Sequence, residues 1–227
     1  MNFKEILVLL ESLANPESVK GMARYGINSK NNLGISVYKL RQIAKEIGTD
    51  HKLAIKLWDT GIHDARLLAC FIDSPDEITS KQMDSWAKDF DSWDICDQAC
   101  TSLFDLSPLA WTKVFEWAER NEEFVKRGAF SLIADLSVHD KFTSDKKFEK
   151  FFPLIKKHST DERNYVKKAV NWALRNIGKR DLLMNKKAIE LSKDILKIES
   201  KTAKWIARDA LKELKSIKIQ DRLTKKK

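Results

Sequence analysis

The chain has 227 residues, enough for one large domain or a short repeat array, and is 43% hydrophobic and 33% charged, as globular proteins are. No apolar run is long enough to span a bilayer and the N-terminus lacks a signal-peptide pattern, so no membrane contact is expected. Its three cysteines cannot all pair, which indicates a reducing cytoplasm. No histidine lies near Cys96 and Cys100 in the sequence, so no metal site is expected.

The positive charge is concentrated at the end of the chain. Residues 163–227 contain 20 Lys and Arg against 7 Asp and Glu, whereas the part before them is slightly acidic; the whole carries +9. This asymmetry predicts a basic surface that faces an anion. A solvated lysine-rich tail would explain Lys225–Lys227 but not the basic residues around Trp172.

Hydrophobic periodicity predicts helices along nearly the whole chain and no strand pair. Two short helices, 2–13 and 17–25, come first, and the stretch from Met22 to Gly34 is the longest loop-like segment. Short connections rich in Gly, Asp, Asn, Ser and Pro separate the helices that follow. These are predicted at 36–47, 50–59, 62–73, 79–89, 92–105, 109–119, 123–137, 145–157, 162–178, 182–196 and 200–216.

A loose repeat runs through these helices. Arg127, Lys168 and Arg208 each precede small and apolar residues on a helix, at intervals of 41 and 40 residues. This spacing is typical of HEAT-type helical pairs, which stack into a solenoid with a concave face. We therefore predict an all-α, HEAT-like solenoid with a concave basic cleft, as one domain over residues 1–218, with 219–227 as a disordered basic tail. An ordinary helical bundle is the alternative.

The predicted helix 92–105 carries one carboxylate that needs an explanation. Asp91 or Ser92 can cap it, and Asp94 lies in the first turn, where the helix dipole favours a structural carboxylate. Asp97 lies one turn after Trp93, within a mostly apolar stripe. A carboxylate there is costly unless it is paired, for example with an arginine of the next helix, or used in chemistry.

Two further helices carry candidate anion-binding residues. Arg127 is predicted to point away from the buried side of its helix, towards a phosphate or towards solvent. On the helix 162–178, a tryptophan stands within a row of cations that we name the Trp172 ridge. An aromatic ring among cations suits a nucleic acid, although the ring could instead pack against a neighbouring helix. The members of the ridge are Lys168, Trp172, Arg175 and Lys179.

The remaining aromatic and titratable residues give weaker signals. No glycine-rich phosphate loop or nucleophile elbow is present. Trp205 could face DNA or the preceding repeat. Four other tryptophans are predicted to lie in the core and four histidines to be surface or packing residues without a specific partner. They are Trp58, Trp86, Trp111 and Trp117, and His51, His63, His139 and His158.

Three segments follow one another in the order Ser92-Trp-Asp-Ile-Cys-Asp97, Phe124-Val-Lys-Arg127 and Lys167-Lys-Ala-Val-Asn-Trp172-Ala-Leu-Arg175. Together they resemble the AlkD-like family of bacterial alkylpurine DNA glycosylases. The resemblance extends from about residue 34 to about residue 214. It departs from the family at Ser92, where the best-known member has a second tryptophan, and in the 20–34 region.

The resemblance implies a HEAT-like fold and the excision of N3- or N7-alkylated purines from double-stranded DNA without base flipping. It places the family's catalytic-cleft residues on Trp93, Asp97, Arg127 and Trp172. No metal or organic cofactor is needed, and a cytoplasmic monomer that acts in base excision repair is expected. The basic residues expected to supply phosphate contacts are Lys126, Lys168, Arg175, Lys179, Lys204 and Arg208.

Two other classes of function stay open at this point. Some relatives with this fold lack the activity, so a non-catalytic protein that binds damaged or unusual DNA is the first alternative. A protein–protein scaffold, as many HEAT solenoids are, is the second.

Overall fold

The computed structural model describes residues 1–225, and within them the chain is all-α, as predicted. No strand occurs in this range, and none of its helices is long and apolar enough to cross a membrane. In chain order the helices are α1 Phe3–Ser12, α2 Pro16–Ala23, α3 Val37–Ile47, α4 His51–Asp59, α5 His63–Ile72, α6 Ser80–Lys88, α7 Trp93–Ser102, α8 Ala110–Ala118, α9 Glu123–His139, α10 Asp145–Phe148, α11 Phe152–His158, α12 Asn164–Ile177, α13 Leu182–Leu196, α14 Lys201–Leu214 and α15 Ile217–Thr224.

Side-chain caps fix where many of these helices begin. Asn2 accepts a hydrogen bond from the Glu5 backbone N–H, and the Glu5 carboxylate accepts one from the Asn2 backbone in return. Asp50 and Asp181 cap α4 and α13 by accepting hydrogen bonds from the backbone N–H groups of Leu53 and Met184. Each cap satisfies a backbone donor that the first helical turn cannot pair, so these boundaries could be predicted from local sequence.

The chain divides into two compact units, Met1–Trp111 (unit 1) and the part that begins at Thr112 (unit 2). The prediction of one repeat domain over residues 1–218 stays a prediction. In unit 1 the indoles of Trp58 and Trp86 stack in parallel with centroids 4.1 Å apart, and Phe90 and Phe104 pack around them. These rings form the core of the unit, as predicted for both tryptophans.

Unit 2 is built on α9, which is buried on almost every side from Val125 to Ser137, and on α12 packed along it. Asn176 of α12 is buried and donates a hydrogen bond to the Ala134 carbonyl of α9 at 3.1 Å. Trp117 is buried in this unit as predicted, whereas Trp111, in unit 1, is only half-buried.

Two predictions about local structure are wrong. The predicted helix 145–157 is broken into α10, a 3-10 turn over Glu149–Phe151 and α11, because Pro153 in the first turn of α11 has no backbone N–H to continue a helix. Residues 219–224 are not a disordered tail but belong to α15, which buries Ile219 and Leu223. Lys226 and Lys227, the end of that predicted tail, lie outside the described residues.

Candidate nucleic-acid interface

Helix α7 places Trp93 and Asp97 one turn apart, both half-buried, in unit 1. Cys96 and Cys100, by contrast, are fully buried on the inner side of the same helix. The predicted shared face of the indole and the carboxylate is therefore present, with part of each side chain open to solvent. Asp97 is not without an interaction partner in the structure.

The segment that follows α2 holds the indole of Trp93 in place. Its Nε1 donates a hydrogen bond to the Tyr25 carbonyl at 2.9 Å, and Asn28 Nδ2 donates to the Asp91 carboxylate at 2.7 Å just before α7. The indole also borders a cavity of about 790 Å³ that Met22 and Ile27 help to line. The 20–34 region, which matches the resembled family poorly, thus contacts a residue that the resemblance assigns to catalysis.

A buried histidine pairs with the first turn of α7, and sequence reasoning missed it. His63 is 3% exposed, and its Nε2 lies 2.9 Å from Asp94 Oδ2, while Ser92 Oγ donates to the other carboxylate oxygen at 2.7 Å. The predicted structural role of Asp94 agrees with this pairing. The expectation that the histidines have no specific partner is wrong for His63, and also for His51, which lies 2.5 Å from Asp73. No local sequence pattern links positions 31 residues apart.

The pair of His63 and Asp94 makes stability depend on pH. Burial alone would lower the pKa of His63, but the hydrogen bond and charge of Asp94, with Asp64 and Asp91 nearby, outweigh it and raise this pKa above 6.5. Burial would likewise raise the pKa of Asp94, and His63 reverses that shift and lowers it. The stabilisation by His63 is therefore complete below pH 6.5 and is lost as the pH rises through its raised pKa.

We expect His63→Gln to cost most unfolding free energy at about pH 6 and progressively less towards about pH 9. Urea unfolding of both proteins across this range measures the difference. If the unfolding free energies of the two proteins change with pH in parallel, the ion pair does not set the pH dependence of stability.

Arg127 and Lys126 lie on α9, and the predicted exposure of Arg127 is wrong. Arg127 is 6% exposed and Lys126 8%, because α9 is enclosed on nearly all sides. Arg127 Nη1 donates a hydrogen bond to the Tyr165 carbonyl at 2.7 Å, in the first turn of α12. Burial, with Arg163 nearby, lowers the pKa of Lys126. The guanidinium is held at the start of the helix that carries the Trp172 ridge, and its role in phosphate contact stays a prediction.

The Trp172 ridge has a feature that sequence analysis did not foresee. Lys168 is exposed and Trp172 half-buried, but Arg175 and Lys179 are each bound to the carboxylate of Glu213 on α14, at 2.6 and 2.9 Å. Two of the three cations of the ridge are therefore already paired within unit 2, where they share one carboxylate.

Helix α14 carries the remaining predicted phosphate contacts. Lys204 pairs with Glu199 at 2.8 Å, whereas Arg208 is exposed and has no ion-pair partner within residues 1–225. Trp205 is 42% exposed, and Lys167 Nζ lies 5.4 Å from the centroid of its ring. Trp205 therefore faces solvent over much of its surface.

The structure thus brings the predicted residues together in two groups. Trp93 and Asp97 share α7 in unit 1. The others lie in unit 2, on three helices. Those on α9 are Lys126 and Arg127, those on α12 are Lys168, Trp172 and Arg175, with Lys179 in the turn just after it, and those on α14 are Lys204 and Arg208.

Residues 6–214 match the family model described as DNA alkylation repair enzyme. The chain belongs to that family. The prediction of an AlkD-like relative is thereby confirmed at the level of the family.

One solved structure matches nearly the whole fold. It is described as a new family of proteins related to the HEAT-like repeat DNA glycosylases, with affinity for branched DNA structures. It superposes with a TM-score of 0.81 at 22% identity, over 98% of this chain and 96% of its own. The HEAT-like fold is thus confirmed, while the concave basic cleft stays a prediction. An uncharacterized protein of Listeria monocytogenes serovar 1/2a is 22% identical over 139 residues, 60% of this chain and 62% of that relative, so the match covers less than two thirds of its length.

Proposed function

We propose that this protein is a DNA glycosylase that releases cationic N3- or N7-alkylated purines from double-stranded DNA. The observation that carries the proposal is that α7 presents Trp93 and Asp97 together at a half-open surface, in a chain that matches the family over residues 6–214. The resemblance also assigns catalytic roles to Arg127 and Trp172, which lie in unit 2 and follow in the family's order along the chain.

The chemistry of the lesion decides what such a site must do. A purine alkylated at N3 or N7 is already positively charged, so it leaves as a neutral base and needs no proton from the protein. Most of the barrier lies in the oxocarbenium character that develops on the sugar. A fixed negative charge beside that sugar stabilises the transition state more than the ground state.

Asp97 is the group that supplies this charge in the proposal. Its carboxylate stabilises the sugar cation and accepts a proton from the water that adds to C1′, so the bond from C1′ to the base breaks while a bond to hydroxide forms. Trp93, fixed through Tyr25, holds the cationic nucleotide by cation–π contact, a role that the resemblance also gives to Trp172. Arg127 and the basic residues named above as phosphate contacts, on α9, α12 and α14, bind backbone phosphates. As in the resembled family, the base is not flipped into a pocket.

The second candidate is a non-catalytic protein that binds branched DNA. It is favoured by the match to the solved structure described as having affinity for branched DNA, at a TM-score of 0.81 over 98% of this chain. In this case the basic residues of unit 2 would bind phosphates at a junction, and Trp93 and Asp97 would have no catalytic role.

One experiment separates the two. The protein is incubated with methylated double-stranded DNA, and released 7-methylguanine and 3-methyladenine are quantified by chromatography, while binding to a four-way junction is measured in parallel. Release of either base supports the glycosylase. Tight, salt-dependent junction binding without any release supports the second candidate and contradicts the first.

A further inference from the structure

Helix α12 with the turn that follows it, and helix α14, carry the same residue types at the same spacing, Lys-x-x-x-Trp-x-x-Arg-x-x-x-Lys, displaced by 33 positions. Steps of four, three and four residues return to one face of a helix, so each set forms a row. The row on α14 consists of Lys201, Trp205, Arg208 and Lys212, and we name it the Trp205 ridge.

The two ridges differ in how their cations are paired. Arg175 and Lys179 of the Trp172 ridge are both ion-paired, and they share the single carboxylate of Glu213. The three cations of the Trp205 ridge are exposed and have no ion-pair partner within the part of the chain that the structure describes. The nearest carboxylate on that helix, Asp209, accepts a hydrogen bond from Asn171 at 2.6 Å and lies 3.6 Å from Arg175. The Trp205 ridge therefore keeps its full positive charge.

The indole of Trp205 is open where these cations converge. It is 42% exposed and borders a surface depression of about 300 Å³, whose other lining residues are Lys201, Arg208, Asp209 and Lys212. The apolar face of α14 is formed instead by fully buried residues such as Ile206 and Ala210, so the core does not need Trp205. A flat aromatic surface among unneutralised cations is complementary to a molecule that has both rings and negative charges.

We propose that the Trp205 ridge binds single-stranded DNA, with one unpaired base stacked on the Trp205 indole and the neighbouring phosphates on Lys201, Arg208 and Lys212. A simple anion or an acidic peptide uses the cations but offers no base to stack. An intact duplex offers phosphates but keeps its base faces covered by neighbouring bases. At 1.5 Å per residue the ridge is about 16 Å long, which suits a few nucleotides of an extended strand. The proposal requires neither Asp97 nor a damaged base.

The test is the binding of an undamaged, fluorescein-labelled single-stranded oligonucleotide, followed by anisotropy, with a blunt duplex of the same sequence in parallel. Trp205→Ala is expected to weaken single-strand binding about 5- to 100-fold, the range that base–aromatic stacking supplies, and duplex binding by less than about twofold. Trp205→Phe is expected to keep most of the single-strand affinity. Equal single-strand binding by Trp205→Ala and wild type, or an equal loss for both probes, would overturn the proposal.

Matched variants test the aromatic and the charge separately. Phe142 is a fully exposed aromatic residue elsewhere in unit 2, so Phe142→Ala is expected to leave single-strand affinity unchanged. Arg208→Gln should reduce the dependence of log K on log salt by about 0.7, whereas Lys193→Gln, an exposed lysine of α13, should leave it unchanged. The proposal is contradicted if Phe142→Ala lowers single-strand affinity as much as Trp205→Ala, or if Lys193→Gln lowers the salt dependence as much as Arg208→Gln. Because the probes are undamaged, the result does not depend on whether the protein releases alkylated bases.

Discussion

Replacing Asp97 with asparagine is expected to lower the rate of 7-methylguanine and 3-methyladenine release at least about 100-fold, while the affinity for alkylated DNA stays the same or rises. Asparagine keeps the size of the side chain but removes the charge that, in the proposed mechanism, stabilises the sugar cation and the oxygen that accepts the water proton. It also removes a negative group close to DNA phosphates, which favours binding. Single-turnover release with excess enzyme measures the chemical step.

The control for this experiment is Asp76→Asn, which removes one negative charge from an exposed position in the same unit. It should leave base release unchanged. If the two variants release bases equally fast, Asp97 has no part in the reaction and its place on α7 is structural. Retained DNA binding and an unchanged melting temperature in Asp97→Asn exclude misfolding as the cause of lost activity.

Asp64→Ala is expected to destabilise the fold by about 3 kcal/mol or more, because each charge-assisted hydrogen bond that it removes contributes about 1.5–3 kcal/mol. The side chain is fully buried at the start of α5. Its two oxygens accept hydrogen bonds from the backbone N–H groups of Leu33 and Ile35, at 2.6 and 2.8 Å. The residue between them, Gly34, has φ +75°, and a Cβ there would lie 2.4 Å from the Asn15 carbonyl oxygen. The loop therefore has little freedom to find other partners.

Urea denaturation gives the change in unfolding free energy, and hydrogen exchange at the Leu33 and Ile35 amides locates it. Asp59→Ala, an exposed carboxylate on α4 of the same unit, should change stability by less than about 0.5 kcal/mol. A loss below about 1 kcal/mol for Asp64→Ala, with both amides still protected, would show that the loop is held by other contacts.

The parts of the structure that were predictable are those that local sequence encodes. The helix 182–196 was predicted with its observed bounds, because aspartate is a favoured N-cap residue at position 181 and the apolar residues recur with helical periodicity. The face shared by Trp93 and Asp97 follows from four-residue spacing alone. Helix α15 was missed because it buries only Ile219 and Leu223, in a segment dominated by polar and basic residues.

The other errors concern contacts between residues far apart in sequence. Arg127 looked exposed because its own helix has apolar residues on another side, but α12 covers it and supplies the Tyr165 carbonyl as its acceptor. No sequence pattern near Arg175 or Lys179 predicts their ion pairs with Glu213, which is 38 and 34 residues away. Helical periodicity identifies the face of a helix, whereas the partner that covers the face depends on how the repeats stack.

Glu213 also affects what DNA would gain from the Trp172 ridge. A phosphate that binds Arg175 or Lys179 would compete with the carboxylate that the two cations share, at 2.6 and 2.9 Å, so the net gain in free energy would be smaller than for unpaired cations. In return, the two long side chains are already ordered before DNA arrives, so they lose less conformational entropy on binding than free cations would. The ridge is thus preorganised: on binding DNA it would contribute geometry at Trp172 more than affinity, and a polyanion too weak to compete with its own carboxylate would gain little from it.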